Sequence, residues 1–350
     1  MKLMKKMTAA VLAFVLVLGF SGCGKLNISR EIARVNDRVI TEAEFKYYLE
    51  NVKSQMISES GQMTADDSFW EAEIDGEKAA DVAKNKALDE AIRIELACIK
   101  AEELGLSVSE SDISSINAIF TSGDSAQKEQ IKQIEKETGL FERLFKETLM
   151  KSALATSYAM YVNENEADKI TPTEEDIKAA YESEYVRVKH VLVNLGSDAE
   201  AAEGETEESS EDKEKAKQEK KALADEIAAK AKSGTRFESL VIEYGEDPGM
   251  ESAPDGYTFA KDGSMVAEFE EAAFDLEIDE VSEPVETTYG YHIIKRYPLL
   301  NKGEDYDQAI SALSSSLVED MYNELLDSYK ADYTIEIKSN IVEKTKVKSN

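Results

Sequence analysis

The sequence is poor in the residues on which disulfide frameworks and metal centres depend. Two cysteines and two histidines among 350 residues exclude a disulfide scaffold, a cysteine-rich zinc site and a three-histidine metal centre. Five prolines argue against a proline-rich linker. The sequence contains neither a Gly-x-Gly-x-x-Gly fingerprint nor a Walker-type loop, so nucleotide chemistry has no support.

Positive charge is scarce as well. The chain has 41 basic and 72 acidic residues and a net charge of −31. Three of the bases lie in residues 1–22, so the chain that follows is more negative by three units. Such a protein repels phosphate backbones, which excludes nucleic acid as a partner. The hydrophobic share of 42% still provides for a core, and the length allows two domains.

The N-terminus has the pattern of an export signal. Three lysines precede an apolar run over residues 7–20, and the triplet Ser-Gly-Cys ends at Cys23. The run is too short to span a bilayer comfortably, and its flanks are typical of a signal peptide. The triplet resembles a lipobox, which implies removal of residues 1–22, lipid attachment at Cys23, and a tether over 23–30. An ordinary secretory signal with an incidental cysteine is the alternative.

The region 31–180 is predicted to form a mainly helical domain. Apolar residues recur there at helical spacing, and Thr-x-x-Glu capping boxes mark helix starts. The predicted elements are a strand at 32–35, a helix opened by the capping box at 41–44, an irregular polar stretch at 56–75, a helix at 79–104, a helix beginning near Ser109, and a long helix at 127–162 that Gly139 interrupts.

The pattern changes at Val186, after which strand-like and helical segments alternate. They predict a small α+β domain over residues 186–297. A charged run over 197–221 interrupts it, acidic first and then rich in lysine. We expect a solvated insertion, at least partly disordered. Contact with calcium or the cell wall is the functional alternative, but charge runs are more often solvated faces, such as a charged loop extended into a helix.

The C-terminal region returns to helical patterning. A helix is predicted over about 306–329 and a strand over 333–337, followed by a tail at 338–350. We expect the segment 298–337 to complete the N-terminal domain, which would make the α+β domain an insertion.

Four segments of the α+β domain follow one another in a characteristic order: 189–193, 237–247, 265–270 and 284–295. Their order and spacing resemble the parvulin family of peptidyl-prolyl isomerases, and both histidines of the chain fall at the family's two histidine positions. The flanks resemble PrsA-type and SurA-type foldases, and the whole plan is similar to a PrsA-type foldase lipoprotein. The fold class is then α+β: a mainly helical chaperone domain formed by the N- and C-terminal segments, with an inserted parvulin-like domain whose small antiparallel sheet is flanked by helices.

The resemblance implies a function and a set of site residues. The function is isomerisation of X-Pro bonds and folding assistance, with unfolded or partly folded secreted polypeptides as partners. The protein would be held through Cys23 on the outer face of a bacterial membrane. The resemblance leaves open whether the protein forms a homodimer. The implied reaction needs no cofactor or metal. It implies four catalytic residues, His190, Asp247, Thr287 and His292, and three substrate-binding residues, Met265, Phe269 and Phe259.

Alternatives remain for each of these residues. Isomerisation breaks no bond, so we favour a hydrogen-bonded histidine pair that fixes the site over a general base or nucleophile, and rank a metal site third. Met265 and Phe269, four residues apart, share a helical face if a helix spans both, but they could simply be core. Asp247 could be an exposed loop acid. Gly256 stands where the family often has an apolar side chain, which predicts a shallower pocket. A holdase with a weak or silent isomerase domain and a surface lipoprotein such as a wall adhesin are the other functions considered.

Overall fold

The structure is a computed structural model that describes residues 30–60, 64–74, 76–123, 125–196 and 210–347. The predicted signal peptide, Cys23 and residues 197–209 of the charged run therefore lie outside the described residues. The described chain divides into two compact units. Among the described residues, no helix combines the length and the apolar character needed to cross a membrane.

The first unit combines both ends of the chain, namely the described residues up to Pro172 and those from Ser316 onward. Its elements are β1 (Glu31–Val35), β2 (Arg38–Thr41), α1 (Glu42–Glu59), α2 (Asp67–Glu71), β3 (Glu73–Ile74), β4 (Glu77–Lys78), α3 (Ala79–Glu103), α4 (Glu110–Thr121), α5 (Ser125–Thr138), α6 (Glu142–Asn165), a 3-10 turn (Ala167–Lys169), the second half of α12 (Glu304–Ser328), a 3-10 turn (Tyr329–Asp332), β9 (Ile335–Ile337) and α13 (Ser339–Val342).

The last strand of the chain pairs with the first. β9 runs antiparallel to β1 in a three-stranded sheet of order β2-β1-β9, with Val35 opposite Ile335. Val342, from the C-terminal end, is buried in the same apolar cluster as Trp70. The predicted return of the C-terminal segment to the N-terminal region is therefore present in β9 and the second half of α12. The first half of α12, up to Ser315, belongs instead to the second unit.

The second unit runs from Thr173 to Ser315. Its elements are α7 (Glu174–Glu184), β5 (Tyr185–Asn194), α8 (Ser210–Lys232), α9 (Phe237–Tyr244), α10 (Pro248–Ser252), β6 (Tyr257–Ala260), α11 (Ala267–Asp275), β7 (Val285–Thr287), β8 (Gly290–Tyr297) and the first half of α12. Its four strands form an antiparallel sheet of order β6-β5-β8-β7. The expected α+β fold class, with a small antiparallel sheet flanked by helices, is confirmed.

Three local predictions compare with the structure as follows. The break at Gly139 is confirmed: its φ of +79° separates α5 from α6, because glycine adopts left-handed backbone readily. The irregular stretch predicted at 56–75 is wrong in part, since α1 continues to Glu59 and Asp66 caps the short helix α2. The lysine-rich half of the charged run is helical and part of α8, in line with the expectation of a charged loop extended into a helix.

Candidate functional site

The central pair of strands brings the two histidines together. β5 and β8 are antiparallel, and their register places His190 opposite Ile294 and Leu192 opposite His292. The histidines are thus diagonal neighbours on one face of the sheet. Their rings stack at an interplanar angle of 22°, and 3.0 Å separates the two Nδ1 atoms. His190 is 3% exposed and His292 is 5% exposed, so each ring depends on protein partners for its hydrogen bonds.

Asp247 supplies one of those partners from the start of α10. It is the N-cap residue of this helix, and its Oδ1 accepts a hydrogen bond of 2.9 Å from the backbone N–H of Gly249. Its Oδ2 lies 2.8 Å from Nε2 of His190. The carboxylate is therefore fixed by its own helix and aimed at the histidine pair, so Asp247 is not a free loop acid.

Thr287, at the end of β7, supplies the other partner. Its Oγ1 lies 2.9 Å from Nε2 of His292 and accepts a hydrogen bond of 3.1 Å from the backbone N–H of Tyr289. The hydroxyl hydrogen has two acceptors in reach, the carbonyl oxygen of Gly290 at 3.4 Å and the imidazole at 2.9 Å, and the shorter contact favours donation to the imidazole. Four side chains predicted as catalytic, His190, Asp247, Thr287 and His292, form one continuous hydrogen-bonded chain.

The chemistry of its two ends gives this chain a direction. Burial would raise the pKa of the Asp247 carboxyl, but hydrogen bonds from Gly249, Tyr257 and His190 outweigh it and hold the pKa below its ordinary value. An ionised carboxylate only accepts hydrogen bonds. Nε2–H of His190 therefore donates to Asp247, Nδ1–H of His292 donates to Nδ1 of His190, and the hydroxyl of Thr287 donates to Nε2 of His292.

Both imidazoles are neutral in this arrangement. Burial lowers the pKa of His190 against the opposing pull of Asp247. Burial, reinforced by the neighbouring His190, lowers the pKa of His292 to about 4. Near neutral pH, neither ring is therefore an imidazolium that could act as a general acid. This favours the structural interpretation of the histidine pair.

Aromatic side chains pack against the histidines. Phe269 lies edge-on to both rings, with centroid distances of 5.1 Å to His190 and 5.2 Å to His292. Phe259 lies 6.0 Å from Phe269, and both are buried in one apolar cluster against which the partly buried Met265 packs. Met265 precedes α11, which begins at Ala267, so Met265 and Phe269 do not share a helical face; the loop before the helix brings Met265 to the cluster.

The strand β6 adds two features that the sequence did not reveal. The hydroxyl of Tyr257 donates a hydrogen bond of 2.8 Å to Oδ2 of Asp247. The residue before it, Gly256, has a φ of +94°, and a Cβ there would lie 2.4 Å from the carbonyl oxygen of Val188. Gly256 therefore serves a close backbone contact that leaves no room for a side chain. No sequence signal marked Tyr257, which read only as part of an extended segment.

The described residues contain no group of three or more histidine, cysteine, aspartate or glutamate side chains arranged to hold a metal ion. The two histidines and Asp247 satisfy one another in a line, and each nitrogen of the pair already has a partner.

Comparison with known families gives two matches. A family model described as a PPIC-type PPIASE domain (Rotamase) matches residues 190–297, which include the whole hydrogen-bonded chain. A model described as a SurA-like N-terminal domain matches residues 2–155.

The curated relatives and the solved structure described next all carry the name PrsA. The foldase protein PrsA of Caldanaerobacter subterraneus is 26% identical over 318 residues, which cover 89% of this chain and 86% of the relative. The foldase protein PrsA of Bacillus subtilis is 32% identical over 169 residues, 48% of either chain. A crystal structure of PrsA from Bacillus anthracis aligns with 71% of this chain and 99% of its own, at 25% identity and a TM-score of 0.28.

Proposed function

We propose that this chain, a homologue of the PrsA foldases with a PPIC-type isomerase domain, is an extracytoplasmic peptidyl-prolyl cis/trans isomerase that assists the folding of secreted proteins. The observation that carries the proposal is the hydrogen-bonded chain from Thr287 to Asp247, packed against Phe269 inside the matched domain. Its substrates would be unfolded or partly folded polypeptides that contain X-Pro bonds.

The reaction requires differential binding alone. Rotation about an amide crosses a barrier of about 18–20 kcal/mol, and a thousandfold acceleration needs about 4 kcal/mol of extra binding to the twisted form. No bond breaks, so a nucleophile, metal or cofactor is unnecessary. A neutral histidine pair that only holds geometry fits this requirement.

We assign the polar and apolar parts of the site different roles. In a planar amide, resonance gives the C–N bond partial double-bond character and places negative charge on the carbonyl oxygen; twisting removes that charge. A fixed carboxylate at Asp247, close to that oxygen, would disfavour the planar form. Met265, Phe269 and Phe259 would receive the proline ring. His190, His292 and Thr287 would orient Asp247.

The location of the protein is part of the proposal. The lysines and the apolar run of residues 7–20 support export, and the Ser-Gly-Cys triplet supports lipid attachment at Cys23. Two or more acyl chains would anchor the protein stably to the outer face of the membrane. Mass spectrometry of the membrane fraction tests this point: we expect a mature chain that begins with a diacylated Cys23, and an unmodified cysteine would overturn it.

The isomerase activity is tested with the full chain and a short X-Pro peptide. We expect saturable acceleration of the cis/trans exchange, and at least about a tenfold loss of kcat/KM in Asp247→Ala and in Met265→Ala. Matched controls are Asp225→Ala, an exposed acid of α8, and Met160→Ala, a methionine 42% exposed in the first unit; neither should change the rate.

Two outcomes would contradict the assignment. Full activity in both site variants would show that Asp247 and Met265 are not site residues. Exchange at the uncatalysed rate, together with suppression of aggregation of an unfolded protein, would replace the enzyme by the holdase considered above.

A further inference from the structure

Tyr257 is in contact with the site but has no part in the roles assigned so far. It is the first residue of β6 and lies opposite Val188 of β5. Its ring centroid is 5.8 Å from that of His190, and its hydroxyl donates to Oδ2 of Asp247 at 2.8 Å. Burial is the main cause that raises the pKa of the Tyr257 hydroxyl, and the nearby Asp247 raises it further. The hydroxyl therefore remains a donor throughout the neutral range.

Asp247 is held by donors from three different elements. His190 of β5 and Tyr257 of β6 both donate to Oδ2, and Gly249 of α10 donates its backbone N–H to Oδ1. Among the ion pairs of the described residues, none joins a lysine or arginine to Asp247. Its titratable neighbours are His190, Tyr257 and, one ring further along, His292 of β8. Hydrogen bonds therefore provide most of the stabilisation of this negative charge, and the charge interaction with His190 adds a smaller part.

Gly249 provides the space that the tyrosine hydroxyl occupies. A Cβ at this position would lie 2.0 Å from the hydroxyl oxygen of Tyr257 and 3.2 Å from Oδ1 of Asp247. Any side chain at residue 249 would displace the tyrosine from the carboxylate, while its backbone N–H would remain available. The glycine and the tyrosine thus act as a pair.

We infer that Tyr257 is a positioning residue of the isomerase site, which orients the Asp247 carboxylate and preserves its charge through the hydroxyl hydrogen bond that Gly249 makes room for. The inference deepens the proposed function and rests on it. Tyr257 acts through Asp247 and needs no contact with the substrate.

The consequence is a change in the pH dependence of catalysis. Hydrogen bonds to the charged form of a carboxylate lower its pKa. Loss of the tyrosine hydroxyl removes one of three donors, so the pKa of Asp247 should rise towards its ordinary value. Asp247 and the two histidines together set the acid limb of the kcat/KM profile. The part of the limb that Asp247 contributes should then move to higher pH, whereas a merely structural tyrosine would lower activity equally at every pH.

The experiment compares pH profiles of kcat/KM for the full chain with an X-Pro peptide. In Tyr257→Phe we expect the acid limb to lie at higher pH than in the wild type. The matched control is Tyr297→Phe, because Tyr297 of β8 also donates its hydroxyl to a carboxylate of the same unit, Glu238, at 2.9 Å. The profile of this control should coincide with that of the wild type.

A second variant disrupts the same hydrogen bond, from the Tyr257 hydroxyl to Asp247, by a change at Gly249. Gly249→Ala keeps Tyr257 but displaces its hydroxyl, so it should shift the acid limb in the same direction. The double variant Gly249→Ala/Tyr257→Phe should shift no further than Tyr257→Phe alone, since both changes remove one hydrogen bond. An inactive wild type would overturn the proposed function itself. An active wild type with unshifted limbs in both single variants would overturn this inference alone.

Discussion

Burial decides the protonation of the two histidines. An imidazolium that leaves water loses its hydration, and only a well-placed anion restores it. His190 has such an anion in Asp247, yet its pKa is still lowered; His292 has only a neutral ring and a hydroxyl as partners, and its pKa falls to about 4. The pair is therefore neutral in the folded protein, whereas each ring would titrate near pH 6.5 in the unfolded chain.

Acid should destabilise the second unit through these rings. Above about pH 6.5 His292 is neutral in both states and its contribution is constant. Between about pH 6.5 and its folded pKa of about 4, only the unfolded chain takes up the proton, so stability falls with pH by about 3 kcal/mol in total. Urea unfolding at pH 7 and at pH 4.5 measures this loss of stability. The ring signals of the two histidines monitor the unfolding, because both residues lie in the second unit.

The variant His292→Asn provides the control for this titration. It removes the group, so the loss of stability between pH 7 and pH 4.5 should shrink to what His190 and the acids with lowered pKa, Asp247, Glu238 and Glu286, contribute. An identical loss in the variant and in the wild type would show that other groups cause the acid sensitivity.

At the residue scale, the sequence was informative wherever residue type limits chemistry. Because the chain has only two histidines, the family pattern assigned a position to each of them and predicted Asp247 and Thr287 beside them. The direction of the hydrogen bonds needed the register of β5 and β8 and the state of the carboxylate. Tyr257 was missed because a tyrosine in a strand packs equally well with or without a partner for its hydroxyl.

At the scale of single elements, two glycines with similar backbone angles lie in different surroundings. Gly234 ends α8 with a φ of +98° and has no atom within 4 Å of a Cβ position. Gly256 enters β6 with a φ of +94°, and its Cβ would collide with the Val188 carbonyl. The first residue is needed only for its conformation, the second also for the contact between β5 and β6.

Substitution by alanine should separate these two effects. Gly234→Ala should destabilise the second unit by about 1 kcal/mol, which is the penalty of left-handed backbone. Gly256→Ala should cost about 3 kcal/mol, since the clash with backbone is added, and it should also lower isomerase activity by displacing β6 and Tyr257. Urea midpoints of the two variants measure the difference in stability. Equal midpoints would show that β6 moves away from the Val188 carbonyl without a cost in stability.

Predictability differed among the elements for physical reasons. Helix ends marked by a cap or a glycine, such as the break at Gly139 and the start at Ser109, were found because backbone chemistry fixes them locally. The short helix α2 was missed because its cap, Asp66, lies in a polar stretch without helical periodicity, and the burial of Trp70 is a tertiary contact. Met265 was placed conditionally on a helix that begins two residues later, at Ala267.

At the scale of the whole molecule, the first unit depends on the far end of the chain. β9 completes the sheet beside β1, and Val342 is buried with Trp70 in one cluster. The second unit lies between these segments in sequence. The resemblance to PrsA-type foldases implied this return, but the unit boundary within α12 depends on long-range packing that periodicity does not encode.

Truncation after Ala331 should therefore affect the first unit. The chain loses β9 and the buried Val342, so the first unit should lose at least about 2 kcal/mol of stability. Trp70, the only tryptophan of the chain and 2% exposed, reports this as a lower urea midpoint of its fluorescence. Truncation after Val347 is the control and should leave the midpoint unchanged; a midpoint unchanged in both would contradict the role of the returning strand.

The central claim is that the site holds its geometry through hydrogen bonds between two neutral imidazoles and the ionised Asp247, and moves no proton. Nitrogen-15 NMR of the full chain labelled at histidine tests it most directly, because only two rings contribute. At pH 7 we predict two neutral rings, with hydrogen on Nε2 of His190 and on Nδ1 of His292, unchanged when an X-Pro peptide binds. An imidazolium at pH 7, or hydrogen on the opposite nitrogen of either ring, would contradict the account.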